Sequence, residues 1–531
     1  MKAGLSRRAL LASSVAASAL AACGARDAGW AGDWVGESHE RGHRLRDRAA
    51  LPVSALQRRA DLIIVGGGIA GLAAARAARR AGIDNLVLFE LHDAPGGNSR
   101  SHPLSAAPCP LGAHYLPLPG PHAHEVAEWL HEIGVARHEA GRTVYDEQHL
   151  CHSPQERLFF DGAWHEGLLP PADAGSPTLA QYRRFAQQVT QVQREAAFTL
   201  PTRRTAWSPE LAALDGQTFA HWLGTRGLDD AQLRWYLDYC CRDDYGAGSE
   251  AVSAWAGLHY FASRHGFQAP GDAADEREAV LTWPEGNAWL VQRLAAPLRD
   301  RLQTGCVVQR VVVERHAVTV ELWNDAAQRS ERWTAPQVVV ATPLFVAARI
   351  VEPLPAALGQ AAAALRYAPW LVANLELRTA LLDRIGVGLA WDNVSFGSQS
   401  LGYVNAQHQS LSPVTPGGRL TAYRALPVSD RAALWAGSWQ HWAAQVIGDL
   451  ALTHPDLPAQ LARIDLTRHG HAMSIPTPGV RGHSALKALH EGGTPRLHWA
   501  HSDLAGYSVF EEAFSAGDAA GRAAARALRR R

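Results

Sequence analysis

Three glycines and one carboxylate carry the first recognisable chemistry of this 531-residue chain. Gly66, Gly68 and Gly71 form a G-x-G-x-x-G run within Gly66-Gly67-Gly68-Ile69-Ala70-Gly71, and Glu90 follows nineteen residues after the last of them. That spacing suits a dinucleotide. Gly66 permits a tight strand-to-helix turn, Gly68 lets a pyrophosphate approach the backbone, and Gly71 lets helix and strand pack closely. A helix start at this point offers unpaired N–H groups and partial positive charge. Glu90 stands where a carboxylate accepts from ribose hydroxyls. These roles need a strand before the glycines, a helix after them and a second strand ending at the acid. Leu62 to Val65 is an apolar, β-branched run of the kind buried on both faces. Leu72 to Ala81 is alanine-rich with no proline, so it predicts a helix, and Leu86 to Phe89 predicts the second strand. The competing reading is a glycine-rich turn with no ligand.

The residues beyond Glu90 narrow the nucleotide. Leu91-His92-Asp93-Ala94-Pro95-Gly96-Gly97-Asn98-Ser99-Arg100 places a Gly-Gly pair close behind the acid. This resembles the FAD-binding start of the flavin-containing amine oxidase superfamily, which also holds phytoene-desaturase-like and protoporphyrinogen-oxidase-like enzymes. The resemblance implies that Gly96 and Gly97 lie against flavin and phosphates. Asn98 takes the position of the family's arginine, so the phosphate contact is shifted or lost, with Arg100 the candidate for it. Leu111 to Tyr115 falls where the family passes near the isoalloxazine ring, making His114 the first polar side chain able to face the flavin. A surface or internally satisfied histidine is the alternative.

The far end of the chain resembles the same family. Arg496 to Tyr507 reads as a strand, a turn of small residues with an acid, and an aromatic, followed by a helical run from Val509 to Leu528. By resemblance, Asp503 contacts the ribityl and phosphate side of FAD. Tyr507 is one wall of an aromatic cage, and the helix start answers charge on the reduced ring. Between the ends, Cys306 to Val311, Ala317 to Trp323 and Val338 to Ala341 are strand patterns, and the backbone at Val308 is implied to hold the adenine. On the strand-like run Trp370 to Arg378, Asn374 falls near the position of a lysine that in many relatives helps reduced flavin meet oxygen. Only Lys2 and Lys487 occur in this chain, which favours an electron acceptor other than oxygen.

Length and composition set the frame. The chain is too long for one core. Its formal charge is zero, which gives no handle for nucleic acid. The expected architecture is α/β: a discontinuous Rossmann-like FAD-binding domain with a parallel sheet (60–115, 280–343 and 480–531) and an inserted mixed α+β substrate domain (116–279 and 344–479). Leu116 to about Asp275 predicts mainly helices, including Leu179 to Ala197 and Asp229 to Tyr239. The aromatics Trp235, Tyr236, Tyr239, Tyr245, Trp255, Tyr260 and Phe261 read as a helical core or a cavity wall. Asn287 predicts a helix cap. His469 and His471 lack a carboxylate partner in pattern, so no metal site is expected. Cys240 and Cys241 are expected as buried free thiols.

Residues 1–23 read as an export signal and 24–59 as a tether. Ser6-Arg7-Arg8 resembles a twin-arginine motif, and Leu20-Ala21-Ala22-Cys23 resembles a lipobox that would lipidate Cys23 and attach the protein to a membrane. A plain signal peptide is the alternative, and either reading exports the chain to the periplasm. The expected activity is hydride removal from a substrate C–H, an amine first, to flavin N5, with His114, Tyr507 and Asn374 nearest the chemistry. A desaturase-like enzyme on an apolar membrane-derived compound and a non-catalytic flavin-binding protein are the alternatives. No oligomeric state can be read from the sequence.

Overall fold

The computed structural model describes residues 30–47, 51–54, 56–105, 107–264, 266–271, 279–405, 408, 417–492 and 494–530. The export signal, including Arg7, Arg8 and Cys23, lies outside the described residues. At the centre is a five-stranded, fully parallel sheet in the order Leu302–Gln303, Leu86–Phe89, Leu62–Val65, Gln337–Val340, Leu497–Trp499. Leu62–Val65 and its neighbour Gln337–Val340 are buried at every position, which explains their Leu, Ile and Val content, with Gln337 the one polar residue. Three distant stretches of chain therefore share one sheet.

The first and last helices cover it together. Helix Ile69–Arg80 begins at the glycine turn, three residues earlier than alanine content alone predicts. Helix Phe510–Arg529 lies against it and buries the stripe Phe510, Phe514, Gly517, Gly521 and Ala524. A second five-stranded sheet, Leu56–Arg59, Arg329–Ala335, Val318–Asn324, Cys306–Val313 and Val351–Glu352, extends this half.

The other half is a seven-stranded sheet ordered Ala163–Glu166, Glu156–Phe160, Asp392–Ser395, Tyr403–Asn405, Arg419–Ala425, Arg366–Leu377, Leu461–Ile475. Alternation sorts its side chains. Leu371, Ala373 and Leu375 pack under helix Trp439–Ala451, in one core with Trp442 and Ile447. Trp370 and Val372 face the opposite way, into a core shared with helices Pro177–Glu195, Ala231–Tyr245 and Ala254–Ala262.

Several sequence expectations are corrected. Leu116, Val126, Trp129 and Leu130 share a core with Leu62 and Leu72, so the residues just after 115 belong to the nucleotide half. Leu344, Ala347, Leu358 and Ala361 likewise pack with Val338 and Val340, beyond the expected boundary at 343. The stretch 136–166 is strand-rich rather than helical. Asn287 makes no cap bond; its Nδ2 donates to the Tyr115 carbonyl (2.9 Å).

The described part of the expected tether is a docked strap. Ala31 and Trp34 bridge in parallel to Arg463 and Leu466 on the outer strand of the seven-stranded sheet, and Val35 N donates to Leu466 O (2.8 Å). Arg468 lies 4.3 Å over the Trp34 ring and pairs with Glu37 (2.7 Å). Helix His39–Arg46 then crosses to the nucleotide half, where Arg41 pairs with Asp93 and Asp325, each at 2.8 Å. Edge-strand addition and ion pairs hold a segment whose polar, Gly-rich sequence reads as linker. Leu56–Arg59, inside the same expected tether, is a strand of the second sheet.

Candidate active site

The nucleotide cradle is built by two glycine turns in contact. Gly66 holds φ +108°, and a Cβ there would meet the Ala341 carbonyl at 2.5 Å. Gly71 closes the turn, since a Cβ on it would strike the Gly66 carbonyl oxygen at 1.8 Å. Gly68 is different: a Cβ there would meet nothing within 4 Å, so the fold itself does not require glycine and the turn is open for a ligand to approach. Ile69, Ala70 and Gly71 open the helix, where the first-turn N–H groups have no helical acceptor. Gly96 bridges to Gly68 and donates to Gly67 O (2.8 Å), and Gly97 takes φ +58°.

Glu90 is buried beside this turn. Its Oε2 accepts from Gly67 N (2.7 Å), and its Oε1 accepts from His92 N (2.8 Å) with the His92 ring Nδ1 also at 2.8 Å. Burial opposes its charge, yet these contacts prevail and hold the carboxyl below the ordinary range. Cys306 N donates to the Glu90 carbonyl (2.8 Å), which brings Val308 two residues away. The ladder shifts between Val308 and Arg310, a bulge that releases backbone groups there.

Asp503 supplies the other side. Its Oδ2 accepts from Leu344 N (2.8 Å) and Tyr367 Oη (2.6 Å), tying the final turn to the returning chain. Its Oδ1 is buried without a hydrogen bond, although His501 Nδ1 is 3.3 Å away, because that nitrogen already receives the Asp503 N–H. An orphaned carboxylate oxygen fits a ligand hydroxyl. Openness at Gly68, the helix start and this oxygen together fit FAD.

Other expected site residues stand differently. Arg100 donates from Nε to Gly97 O and from Nη1 to Gly36 O, both at 3.0 Å, so its guanidinium ties the strap to the second glycine turn of the cradle. Asn98 is exposed, and its side chain donates to Ala472 O across the two halves. Asn374 is fully buried on Arg366–Leu377, donates to Pro110 O (2.9 Å) and accepts from Thr421 Oγ1 (2.8 Å). It pins the stretch leading to His114. Tyr507 is not an open wall: Tyr245, Trp255 and His259 enclose its ring, and its hydroxyl donates to Glu512 Oε1 (2.9 Å). The last helix also carries Glu511 and Glu512 buried in its first turn, so its positive end is partly answered by the chain's own acids.

An aromatic box forms instead around His114. Its ring stacks on Tyr423 (4.3 Å, 21°), lies 5.4 Å from Trp391 and meets Tyr115 edge-on at 5.0 Å. Asn287 N and Nδ2 bond the carbonyls of Ala113 and Tyr115, fixing His114 between them. His114 is partly buried. Burial pushes its imidazole down to about 3, with a Gly112 backbone hydrogen bond only partly offsetting. It is therefore neutral at physiological pH and a poor base. Tyr423, Trp391 and Asn287 were not singled out as site residues from sequence; the alternation Trp370, Val372, Asn374 was the available signal for this sheet face.

A glycine-turn cradle beside an aromatic box shared by the two halves marks a dinucleotide-binding protein. The chain belongs to the flavin containing amine oxidoreductase family, whose profile matches residues 69–528, and the cofactor is FAD. AofH of Mycobacterium tuberculosis, provisionally named a flavin-containing monoamine oxidase, is 26% identical over 301 residues, covering 56% of this chain and only 60% of that protein. The L-amino acid dehydrogenase of Synechocystis sp. is 24% identical over 494 residues, covering 87% of this chain and 94% of that one. A solved putrescine oxidase with bound putrescine superposes with a TM-score of 0.66 at 17% identity, covering 90% of this chain and all of the other, a likeness of fold.

Proposed function

We propose that this protein oxidises an amine by removing hydride from the carbon beside nitrogen. FAD supplies the hydride acceptor. The observation that carries the reading is the box of His114, Tyr423, Trp391 and Tyr115 on the stretch that Asn374 and Asn287 pin. An amine reacts through its neutral form, and an apolar box with an uncharged imidazole favours that form. The box also excludes water and orients the C–N bond. The absence of a lysine near Asn374 supports an acceptor other than oxygen, in keeping with the dehydrogenase name of the Synechocystis relative. Export through the segment 1–23, with lipidation at Cys23, completes the proposal: a periplasmic, membrane-attached enzyme loaded with FAD before crossing.

Anaerobic stopped-flow mixing with amines tests it. Flavin bleaching is expected with at least one amine; no bleaching across monoamines, diamines and amino acids overturns the reading. Slow reoxidation by oxygen and fast reoxidation by a quinone are expected, and fast reaction with oxygen refutes the lysine argument.

A further inference from the structure

We propose that one end of the seven-stranded sheet, carrying Leu382, Ile385 and Leu452, is a docking face that sets these side chains into a lipid surface. The proposal rests on the reading of the chain as attached through Cys23 and says which side of the enzyme then meets the membrane.

The geometry begins where strand Arg366–Leu377 ends. Leu377 pairs with Leu461, and the chain then runs out along the stretch that precedes Leu461. Arg378 N donates to Gln460 O (2.7 Å), and Thr379 Oγ1 donates to Gln460 Oε1 (2.6 Å). Further out, Leu382 N donates to Asp456 Oδ2 and Arg384 Nη1 to Thr453 O, both at 2.8 Å. Residues 378–385 and 452–460 therefore lie side by side. This brings Leu382 (69% exposed), Ile385 (81%) and Leu452 (71%) to the same end of the sheet.

Loose chain does not explain this exposure. Ile385 O accepts from Trp164 N, and Val387 N donates to Trp164 O, both at 2.9 Å. Between them Gly386 holds φ +108° so close to the strand that a Cβ would meet Trp164 O at 2.1 Å. A pinned backbone thus presents Ile385 to solvent. Arg384 turns back over the Phe159 ring (5.2 Å), leaving Asp383 as the exposed charge within 381–385. Single exposed leucines are ordinary, but three large aliphatic side chains on neighbouring stretches mark a contact surface.

The start of the strap identifies what covers it. Trp30, the first described residue, donates from Nε1 to Pro458 O (3.1 Å) and packs, like Leu381, on the core around Leu457. The chain arriving from Cys23 thus meets the body at the 452–460 stretch, beside the three aliphatic side chains. Trp30 lies seven residues after Cys23, a reach of at most about 25 Å. A lipid on Cys23 keeps this end of the sheet within that distance of the bilayer. Among the described residues no helix is long and apolar enough to cross a membrane, so the contact is made by side chains entering the interface. With Asp383 as its exposed charge, the face draws on apolar burial and not on anionic headgroups, so salt should not weaken it.

The test floats the FAD-loaded mature chain, residues 24–531 made without lipid or signal, with phosphatidylcholine vesicles. Co-flotation that persists in high salt is expected. Ile385→Asp and Leu452→Asp should each lower the partition constant roughly tenfold or more, with flavin absorbance and melting temperature unchanged. Leu354→Asp, at a leucine 51% exposed beside strand Val351–Glu352 of the nucleotide half, should leave it as it was. No flotation, or an equal loss in Leu354→Asp, overturns the proposal; if Ile385→Asp then splits a dimer in sedimentation, the face meets a second copy instead. Should one variant not fold, the other decides. Attachment through Cys23 fails separately: a mature chain from cells with no lipid on Cys23 sinks the anchor and leaves the face. A lipidated chain whose lipid-free form ignores vesicles sinks the face and leaves the anchor.

Discussion

Gly517 of the last helix and Ala70 of the first lie back to back: a Cβ on Gly517 would stand 2.1 Å from the Ala70 carbonyl oxygen. One turn on, Gly521 repeats the contact with Ala74 at 2.3 Å. The closing helix is thus fitted onto the helix that opens the nucleotide cradle. Gly517→Leu should force the pair apart and destabilise the fold by about 1–3 kcal/mol, as overpacking does. A lowered urea midpoint checks this, and an unchanged midpoint contradicts the close crossing.

Gly68→Val should behave in the opposite manner. Its backbone is ordinary, with φ −71°, and its Cβ position is empty, so the fold tolerates the side chain while the pyrophosphate does not. The expected product is a stable, colourless protein. Flavin absorbance per chain and a melting curve of apoprotein together check it; full flavin loading would refute the role.

Glu90→Gln keeps the shape and removes the charge facing Gly67 N–H and His92. Loss of hydrogen bonds to a charged acceptor should weaken FAD retention or stability by roughly 1.5–3 kcal/mol. The sign of the pH effect follows from a depressed folded value. The contribution of Glu90 is present above the unfolded carboxylate pKa, about 4.3, and is lost as pH falls through the lower folded value. Denaturation curves of both proteins should converge in acid, and parallel curves would contradict this.

His114, depressed to about 3, should contribute no limb to the pH–rate profile between pH 5 and 8. His114→Phe should therefore leave the profile's shape unchanged while altering turnover. His114→Ala should also lose the stack on Tyr423, about 0.5–1.5 kcal/mol. A limb that vanishes in His114→Phe would show that the imidazole titrates during turnover.

Asn374→Leu should leave Pro110 O and Thr421 Oγ1 without their partner and cost about 1–3 kcal/mol. Because Asn374 acts through the 110–114 stretch, turnover should change more than flavin content. Equal kcat and KM in this variant would contradict the positioning role.

Much of the cradle was legible in the chain. The buried strand Leu62–Val65, the glycine spacing and Glu90 are local signals, since strand burial, turn geometry and helix starts depend on neighbours in sequence. The acid Asp503 was legible by resemblance, because that ending stays short and contiguous. What faces what was decided only by the fold. Tyr423 and Trp391 meet His114 only because strand register brings their sheet face under the 110–115 stretch, and a shift of one residue would send each strand's set to the other face. Tyr507 has the right type and place in the sequence, yet packing turns it into the helical core and leaves the box to His114 and Tyr423. The strap shows the same limit from the other side. Its polar composition permits a linker, and only an open sheet edge at Leu461–Ile475, with Arg468 beside it, makes it part of the structure.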